Sequence, residues 1–282
     1  MNYRHIYHAG NFADVAKHTA LCYCLSALKR KAGAFFALDT HAGRGYYPLA
    51  AAEAQKSGEA ARGILRLIEA GTHEAGLKDY LDAVGVRPGK RLPRYPGSPA
   101  LIADALRPQD RALFVESEPA EARALEREAW SEGRIRIEIG DGYASLRAML
   151  PPQERRGLVL VDPSYEDPGE LSAMLRAFAD AYRRWPTGLF LLWYPIVSAG
   201  QRAAVHARFA ELRIPKMLLA DLAVHPDDAG IGLAGSGLVI VNPPYGTDEY
   251  LRGAYAAIHR ALAPGGAGYA QVTRLSPEQV AQ

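Results

Sequence analysis

The sequence predicts an α/β protein built on a doubly wound, mainly parallel sheet. A series of short apolar runs has the pattern of buried strands, since most end in Gly, Pro, Asn or an acidic residue. Helical stretches separate most of these runs, as in doubly wound proteins. The predicted strands are FFALD (35–39), ALFVES (112–117), RIRIEIGDG (134–142), LVLVD (158–162), LFLLWYP (189–195), KMLLADLAV (216–224) and LVIVN (238–242). We expect one domain spanning 1–282.

Helices are predicted before the first strand and between later ones. Residues 11–31 begin with Asn11, a good N-cap, carry Asp14 three residues on and end in a basic turn. Further helices are predicted at 119–130, 169–184 and 199–213.

One segment interrupts this alternation. In a nucleotide-binding unit the acidic strand end follows the Gly-rich turn by about 20 residues, whereas Glu116 follows Gly45 by 71 residues. The extra residues are helical in pattern and close with the basic, Pro-rich PGKRLPRYPGSP. They predict a small helical insertion subdomain at 48–97.

Composition restricts the class of protein. The chain is 49% hydrophobic and 23% charged, which is typical of globular proteins. No apolar stretch reaches the roughly 18 residues of a membrane span, and MNYRHIYHAG lacks the apolar core of a signal peptide. Cys22 and Cys24 would face different sides of a helix, so they predict neither a disulfide nor a metal site. We expect a cytoplasmic protein without metal or membrane partner.

The first strand runs into a Gly-rich turn, DTHAGRG. Gly43 and Gly45 allow a tight turn whose backbone N–H groups a ligand can approach. A plain strand-to-helix turn remains the alternative. A dinucleotide fingerprint needs a third Gly where this chain has Pro48, which disfavours NAD.

Acidic residues end the next three strands. Glu116 could accept both ribose hydroxyls, Asp141 could take an exocyclic amine, and Gly142 leaves room for a flat base. Asp162 ends the fourth strand. Helix capping explains any one such acid, but carboxyl ends of parallel strands meet in one crevice. Together with the Gly-rich turn, they indicate an S-adenosyl-L-methionine site on a Rossmann-like, seven-stranded class I methyltransferase sheet.

Two tetrapeptides compete for the catalytic position, DPSY (162–165) and NPPY (242–245). The methyltransferase strand order is 3-2-1-4-5-7-6, with the seventh strand antiparallel. The fourth strand then ends beside the cofactor, and the seventh ends at the far rim. We predict that DPSY forms the site and that NPPY is a turn.

The chemistry of Asp162 fits methylation of an adenine amine, whose lone pair is delocalised into the ring. A carboxylate and a neighbouring carbonyl can hold its N–H bonds and direct the lone pair at the methyl group. We expect Asp162 to be this acceptor, with Pro163 offering its C=O and Tyr165 stacking on a base taken out of its helix.

The motifs YRHIYHAGNFADVAKH, LDTHAGRG, YPGSP, GDG, VDPSY, LWYP and VNPP, in this order, resemble those of the RlmJ family over nearly the whole chain. The resemblance implies methylation of adenine N6 in 23S ribosomal RNA, at adenine 2030 in this family, on protein-free RNA. It implies that His18, His41, Ser98, Glu116, Asp141, Gly142 and Asp162 bind the cofactor. It also implies substrate or catalytic roles for Tyr3, His5 and Lys17.

Two other functions stay open. One is an adenine-N6 DNA methyltransferase, although no separate target-recognition domain is visible. The other is a non-catalytic RNA-binding assembly factor, since Ser164 stands where the family has Pro. The net charge of +2 neither requires nor excludes a nucleic-acid partner. Local cations, including Arg91 and Arg94, are candidate RNA contacts, and we expect a monomer.

Overall fold

The computed structural model describes residues 4–71, 75–87, 89–128, 130 and 133–275, so Tyr3 lies outside the described residues. Its centre is an eight-stranded sheet, and a two-stranded sheet lies beside it. The strands are β1 (Phe36–Asp39), β2 (Tyr46–Pro48), β3 (Arg94–Pro96), β4 (Arg111–Glu116), β5 (Ile135–Ile139), β6 (Gly157–Val161), β7 (Leu189–Ile196), β8 (Met217–Ala223), β9 (Gly235–Val241) and β10 (Tyr269–Leu275).

The α-helices complete a three-layer arrangement. They are α1 (Phe12–Lys29), α2 (Ala52–Ser57), α3 (Arg66–Glu69), α4 (Ala75–Val84), α5 (Ser98–Ala105), α6 (Pro119–Glu126), α7 (Gly142–Met149), α8 (Glu170–Arg184), α9 (Ala199–Glu211) and α10 (Thr247–Leu262). Shorter helical turns cover His5–Tyr7 (3₁₀), Ala61–Leu65 (π) and Pro264–Gly266 (3₁₀). None of the helices within the described ranges has the length and apolarity needed to cross a membrane.

The large sheet has the order β10-β8-β9-β7-β6-β1-β4-β5. β9 pairs antiparallel with both β7 and β8, while β1 pairs parallel with β4 and β6. The predicted α/β class and the order of the seven predicted strands are confirmed. The predicted number of strands was one too low, because β10 adds to the edge of β8. Most of its side chains are partly or fully exposed, so its sequence lacks the apolar run of a buried strand.

The core lies on both faces of the sheet. Along β6, Leu158 and Leu160 pack with residues of α1, α5 and α10, whereas Val159 and Val161 pack with residues of α7, α8 and α9. This two-residue alternation explains why β6 is continuously apolar.

Helix α1 is buried along most of its length. Asn11 caps it by accepting a hydrogen bond from the Asp14 N–H at 2.9 Å. The buried stretch includes not only apolar residues but also Asp14, Lys17 and His18, which are all less than 5% exposed. Since charged residues are rarely buried without partners, each of these side chains needs a hydrogen-bond or ion-pair partner close by.

The inserted segment is closed at its base by pairing of β2 with β3, where Pro48 faces Arg94 and Tyr46 faces Pro96. Between these strands lie α2, the π-helical turn, α3 and α4. The helical content of residues 48–97 is therefore as expected, whereas their status as a subdomain stays a prediction.

Gly63 sets how closely the insertion approaches the N-terminal segment. The Ile64 N–H donates to the Gly10 carbonyl at 2.8 Å. A Cβ atom at position 63 would lie 2.1 Å from that carbonyl oxygen and 2.7 Å from the Asn11 Cα. Both obstacles are backbone atoms, so only Gly fits at position 63 without movement of the chain.

We expect Gly63→Ala to lower the free energy of unfolding by about 1–3 kcal/mol, because the backbone of one segment must move away from the other. Denaturant unfolding followed by circular dichroism measures this effect. Gly253→Ala is the control, since a Cβ there meets no atom within 4 Å. In helix α10 that change should stabilise the protein by about 0.5–1 kcal/mol. Equal stabilisation by both substitutions would contradict the packing explanation.

Candidate active site

A cavity of about 910 Å³ lies where the carboxyl ends of β1, β4, β6 and β7 meet the N-terminal half of α1. Most of the predicted site residues line it. They are His5, Lys17, His18, His41, Ser98, Glu116, Asp162 and Tyr165. Of the other predicted residues, Asp141 and Gly142 follow β5 at the start of α7.

Four side chains form an ionic network at the centre of the cavity. Asp14 Oδ2 lies 2.9 Å from His5 Nε2 and accepts a hydrogen bond from the Gly10 N–H, also at 2.9 Å. Asp14 Oδ1 lies 3.0 Å from the Lys17 Nζ, and the same Nζ donates to Asp162 Oδ2. Helix α1 thus places a buried ammonium group directly on the carboxylate that ends β6.

The charges in this network stabilise one another. Burial lowers the pKa of Lys17, but the carboxylates of Asp14 and Asp162 outweigh burial and raise it overall. Burial raises the pKa of Asp14, but His5 and Lys17 outweigh burial and bring it well below its usual range. Lys17 is therefore cationic and Asp14 anionic at neutral pH.

Two of the histidines that line the cavity are neutral, because burial lowers the pKa of His18 to about 3 and that of His41 to about 4. His18 Nδ1 lies 2.8 Å from the Tyr95 hydroxyl, and its ring stacks on Tyr95. His41 Nδ1 lies 2.8 Å from Thr40 Oγ1. Both rings thus add flat, uncharged surface to the cavity.

The Gly-rich turn is tied to the end of β4. Gly43 has φ of 64°, and its N–H donates to Glu116 Oε2 at 2.7 Å. Glu116 Oε1 accepts from the Glu118 N–H at 2.8 Å. A carboxylate has about four lone-pair sites, so these bonds fix Glu116 and still leave acceptor capacity for a ligand.

Local structure alone explains why Asp and Gly stand at positions 141 and 142. Asp141 Oδ1 caps α7 by accepting from the Tyr143 N–H at 2.8 Å. A Cβ at Gly142 would lie 2.1 Å from the Thr40 carbonyl oxygen, so the close approach of α7 to the end of β1 requires Gly there. Their predicted contacts with the cofactor stay a prediction.

The two tetrapeptides lie at opposite rims of the sheet. Tyr165 has φ of 55°, donates its hydroxyl to the Trp193 carbonyl at 2.9 Å and packs edge-on against Trp193. Asn242, at the end of antiparallel β9, donates its amide to the carbonyls of Pro186 and Gly188, each at 2.8 Å. DPSY therefore lines the cavity, and the first residue of NPPY fastens a loop at the rim where β7 begins.

Asp39, which the sequence analysis did not single out, ends β1 as a buried neighbour of the cavity residues Ser98 and Asp162. It is 0% exposed, and its Oδ2 has no hydrogen-bond partner among the described residues. Burial raises its pKa to about 7, opposed by the neighbouring Ser98 side chain and reinforced by the charge of Asp162. The sequence contained the signal, because Asp39 ends a predicted strand just as Glu116, Asp141 and Asp162 do.

Arg94, in the basic run near the end of the insertion, does not line the cavity. The Arg94 guanidinium lies 4.0 Å from the centroid of the Tyr46 ring and 3.2 Å from Glu128. It supports the β2–β3 pair from outside. The cations of the insertion that do line the cavity are Arg62 and Arg66, which the sequence reasoning passed over.

Comparisons with known proteins agree with this arrangement. A family model described as "Ribosomal RNA large subunit methyltransferase D, RlmJ" matches residues 32–275. Two proteins named "Ribosomal RNA large subunit methyltransferase J" align with 99% of this chain and 100% of their own length. The protein of Escherichia coli K12 is 37% identical and that of Haemophilus influenzae Rd is 36% identical.

The crystal structure of protein LPL1258 from Legionella pneumophila superposes with a TM-score of 0.87 and 31% identity, covering 95% of this chain and 99% of that one. A probable spermidine synthase from Corynebacterium glutamicum shares the fold alone, with a TM-score of 0.52 and 13% identity over 97% of this chain and 78% of that one. With a family model matched over most of its length and two full-length relatives above 30% identity, the chain belongs to the RlmJ family of ribosomal RNA large subunit methyltransferases.

Proposed function

We propose that this protein transfers a methyl group from S-adenosyl-L-methionine to the N6 amine of an adenine in 23S ribosomal RNA, before ribosomal proteins cover that RNA. The observation that carries the proposal is the position of Asp162, which ends β6 inside the cavity and is held by the buried Lys17. The names of the full-length relatives support ribosomal RNA as the substrate. A cytoplasmic monomer is part of the same proposal.

The residues of the inner half of the cavity fit the cofactor. The carboxylate of Glu116 is fixed by N–H groups of Gly43 and Glu118 and keeps acceptor capacity for the hydroxyls of a nucleoside. The buried Oδ2 of Asp39 has no hydrogen-bond partner among the described residues and could accept a further donor. When bound, the cofactor supplies an electrophilic methyl group on a positively charged sulfur. The described residues contain no His, Cys, Asp or Glu cluster that could hold a metal ion.

Asp162 would orient the amine of the base. Lys17 donates to Oδ2 of Asp162, so we assign Oδ1 to the base, with the Pro163 carbonyl as the second acceptor. Two acceptors on two N–H bonds turn the nitrogen lone pair toward the methyl group. As the new N–C bond forms and the C–S bond breaks, the nitrogen loses a proton, and Asp162 is the group positioned to accept it.

The test is transfer of labelled methyl from the cofactor to unmodified 23S RNA, with the product nucleoside identified by mass spectrometry. N6-methyladenosine is the expected product. Duplex DNA and assembled ribosomal subunits are tested in parallel. Faster methylation of DNA would favour the DNA enzyme, and RNA binding without transfer would favour the assembly factor.

Asp162→Asn should reduce methyl transfer by at least about a hundredfold, because the proton acceptor is lost. Asn242→Ala should leave turnover unchanged but lower the free energy of unfolding by about 1–2 kcal/mol, since two hydrogen bonds to loop carbonyls disappear. Turnover and denaturant unfolding are measured for both variants. The opposite pattern of effects would exclude DPSY as the catalytic motif.

Lys17→Met should lower the free energy of unfolding by about 3–5 kcal/mol, because it leaves Asp14 and Asp162 buried without their shared cation. Lys29→Met is the matched control on the exposed end of α1 and should change stability by less than about 0.5 kcal/mol. Thermal unfolding without cofactor separates this effect from catalysis. A small effect of Lys17→Met would show that the network is not stabilising.

Asp39 predicts a pH dependence of stability. Its folded-state pKa of about 7 lies above the ordinary 3.8, so its contribution is full below 3.8 and is lost as pH rises through about 7. Asp39→Asn should therefore be more stable than the native protein above pH 7, with the difference shrinking toward acid. Denaturant unfolding across this pH window measures it. Asp82→Asn, on the exposed face of α4, should show no such trend near pH 7.

A further inference from the structure

The cavity continues beyond Asp162 on the side away from the Gly-rich turn. In the sheet, β6 lies between β1 and β7, and β8 runs in the same direction as β7 because both are antiparallel to β9. Residues that follow β7 and β8 therefore meet at the same rim as Asp162. We call this part of the cavity the outer lobe, formed by Arg62, Arg66, Val197, His225, Ile231 and Leu233.

The outer lobe carries apolar side chains that are open to water. Val197 is 44% exposed and Ile231 is 54% exposed. Among the described residues only two other large hydrophobic side chains are this exposed, Ile139 on β5 and Tyr245 in NPPY, and neither lines the cavity. Exposed apolar surface at the mouth of a polar site indicates a ligand with a flat, apolar face.

The outer lobe also carries two cationic side chains. Arg62 donates to the Ser57 carbonyl at 3.0 Å, and Arg66 donates through Nε to the Ala261 carbonyl at 2.9 Å. Within the described part of the chain, neither guanidinium lies within 4.0 Å of a carboxylate. The nearby Glu59 is already held by His8 and Asn11. The two arginines are thus held in place by neutral carbonyls, and no carboxylate compensates their positive charge. They can therefore bind an anion.

We infer that the outer lobe binds the nucleotide adjacent to the target adenosine, with its base against Val197 and Ile231 and its phosphate against Arg62 and Arg66. This inference rests on the proposed function. An adenine that leaves its helix to reach Asp162 brings its neighbour in the strand to the mouth of the cavity. A cavity region with both exposed apolar surface and two cations not paired with a carboxylate matches one nucleotide, whose base has a π-face and whose phosphate is an anion.

The insertion would then bind the RNA strand through Arg62 and Arg66, not through its basic terminal run. Arg62 belongs to the π-helical turn and Arg66 to α3. Gly63, which lies between them, allows this part of the insertion to pack closely on the N-terminal segment. The enzyme would then have a preference for the nucleotide beside the target, set by Val197 and Ile231 rather than by contacts to the target itself.

The apolar surface is tested with three hairpin RNAs, one intact and two with an abasic residue on the 5′ or the 3′ side of the target adenosine. For the native protein, one of the abasic RNAs should have a KM raised about tenfold, with kcat nearly unchanged. Ile231→Ser should raise KM for the intact RNA similarly and should show no further penalty with that abasic RNA. Ile139→Ser, with a side chain 52% exposed on β5, should behave as the native protein does.

The role of the two arginines is tested by the salt dependence of RNA binding. Arg62→Gln and Arg66→Gln should each reduce the slope of log K against log salt by about 0.7, as expected for one lost phosphate contact to a single strand. Arg136→Gln, on β5, is the control and should leave the slope unchanged. Affinity for the cofactor should be the same in all three variants.

The outcomes separate the two proposals. If the native protein methylates no adenine in ribosomal RNA, the proposed function fails. If it methylates RNA but the abasic penalty is the same for the native protein and Ile231→Ser, or the salt slopes do not change, the outer lobe does not bind the adjacent nucleotide.

Discussion

The buried contact between Lys17 and Asp162 is the interaction on which the rest of the site depends. An ammonium group that is 4% exposed requires nearby negative charge, and Asp14 and Asp162 supply it from two different elements. The contact therefore fixes α1 relative to the end of β6. It also holds the Asp162 carboxylate by its Oδ2 oxygen. The same contact thus both pairs the buried charge of Lys17 and orients the proposed catalytic carboxylate.

The sheet order explains why one tetrapeptide lies in the cavity and the other does not. Both follow apolar strands, and NPPY has the more complete motif. Because β9 is antiparallel to its neighbours, Asn242 ends at the opposite rim, where its amide bonds two loop carbonyls. Local sequence alone would have favoured the motif that lies outside the cavity. The direction of the strand, which is a property of the whole sheet, decides which one can meet a cofactor.

Much of this arrangement could be predicted from sequence, and the exceptions have different causes. Strand ends such as Glu116 and Asp162 are visible because an acid stops an apolar run. Asp39 was passed over although it has the same signal. Asp14 was read only as a charge in the first turn of a helix, because its burial depends on packing by distant elements. Strand β10 was missed because an edge strand has no continuous apolar pattern.

The site places the charged Lys17 in one cavity with the neutral rings of His18 and His41, and burial explains this difference in charge. His18 and His41 stay uncharged because burial lowers their pKa values, whereas Lys17 in the same cavity stays cationic. A positively charged cofactor would meet little repulsion from these two rings and would have the carboxylate of Glu116 nearby. The cations Arg62 and Arg66 lie on the far side of Asp162, where a phosphate rather than a sulfonium group would approach. The sign of the charge thus changes across the cavity in the direction that a methyl donor and an RNA acceptor require.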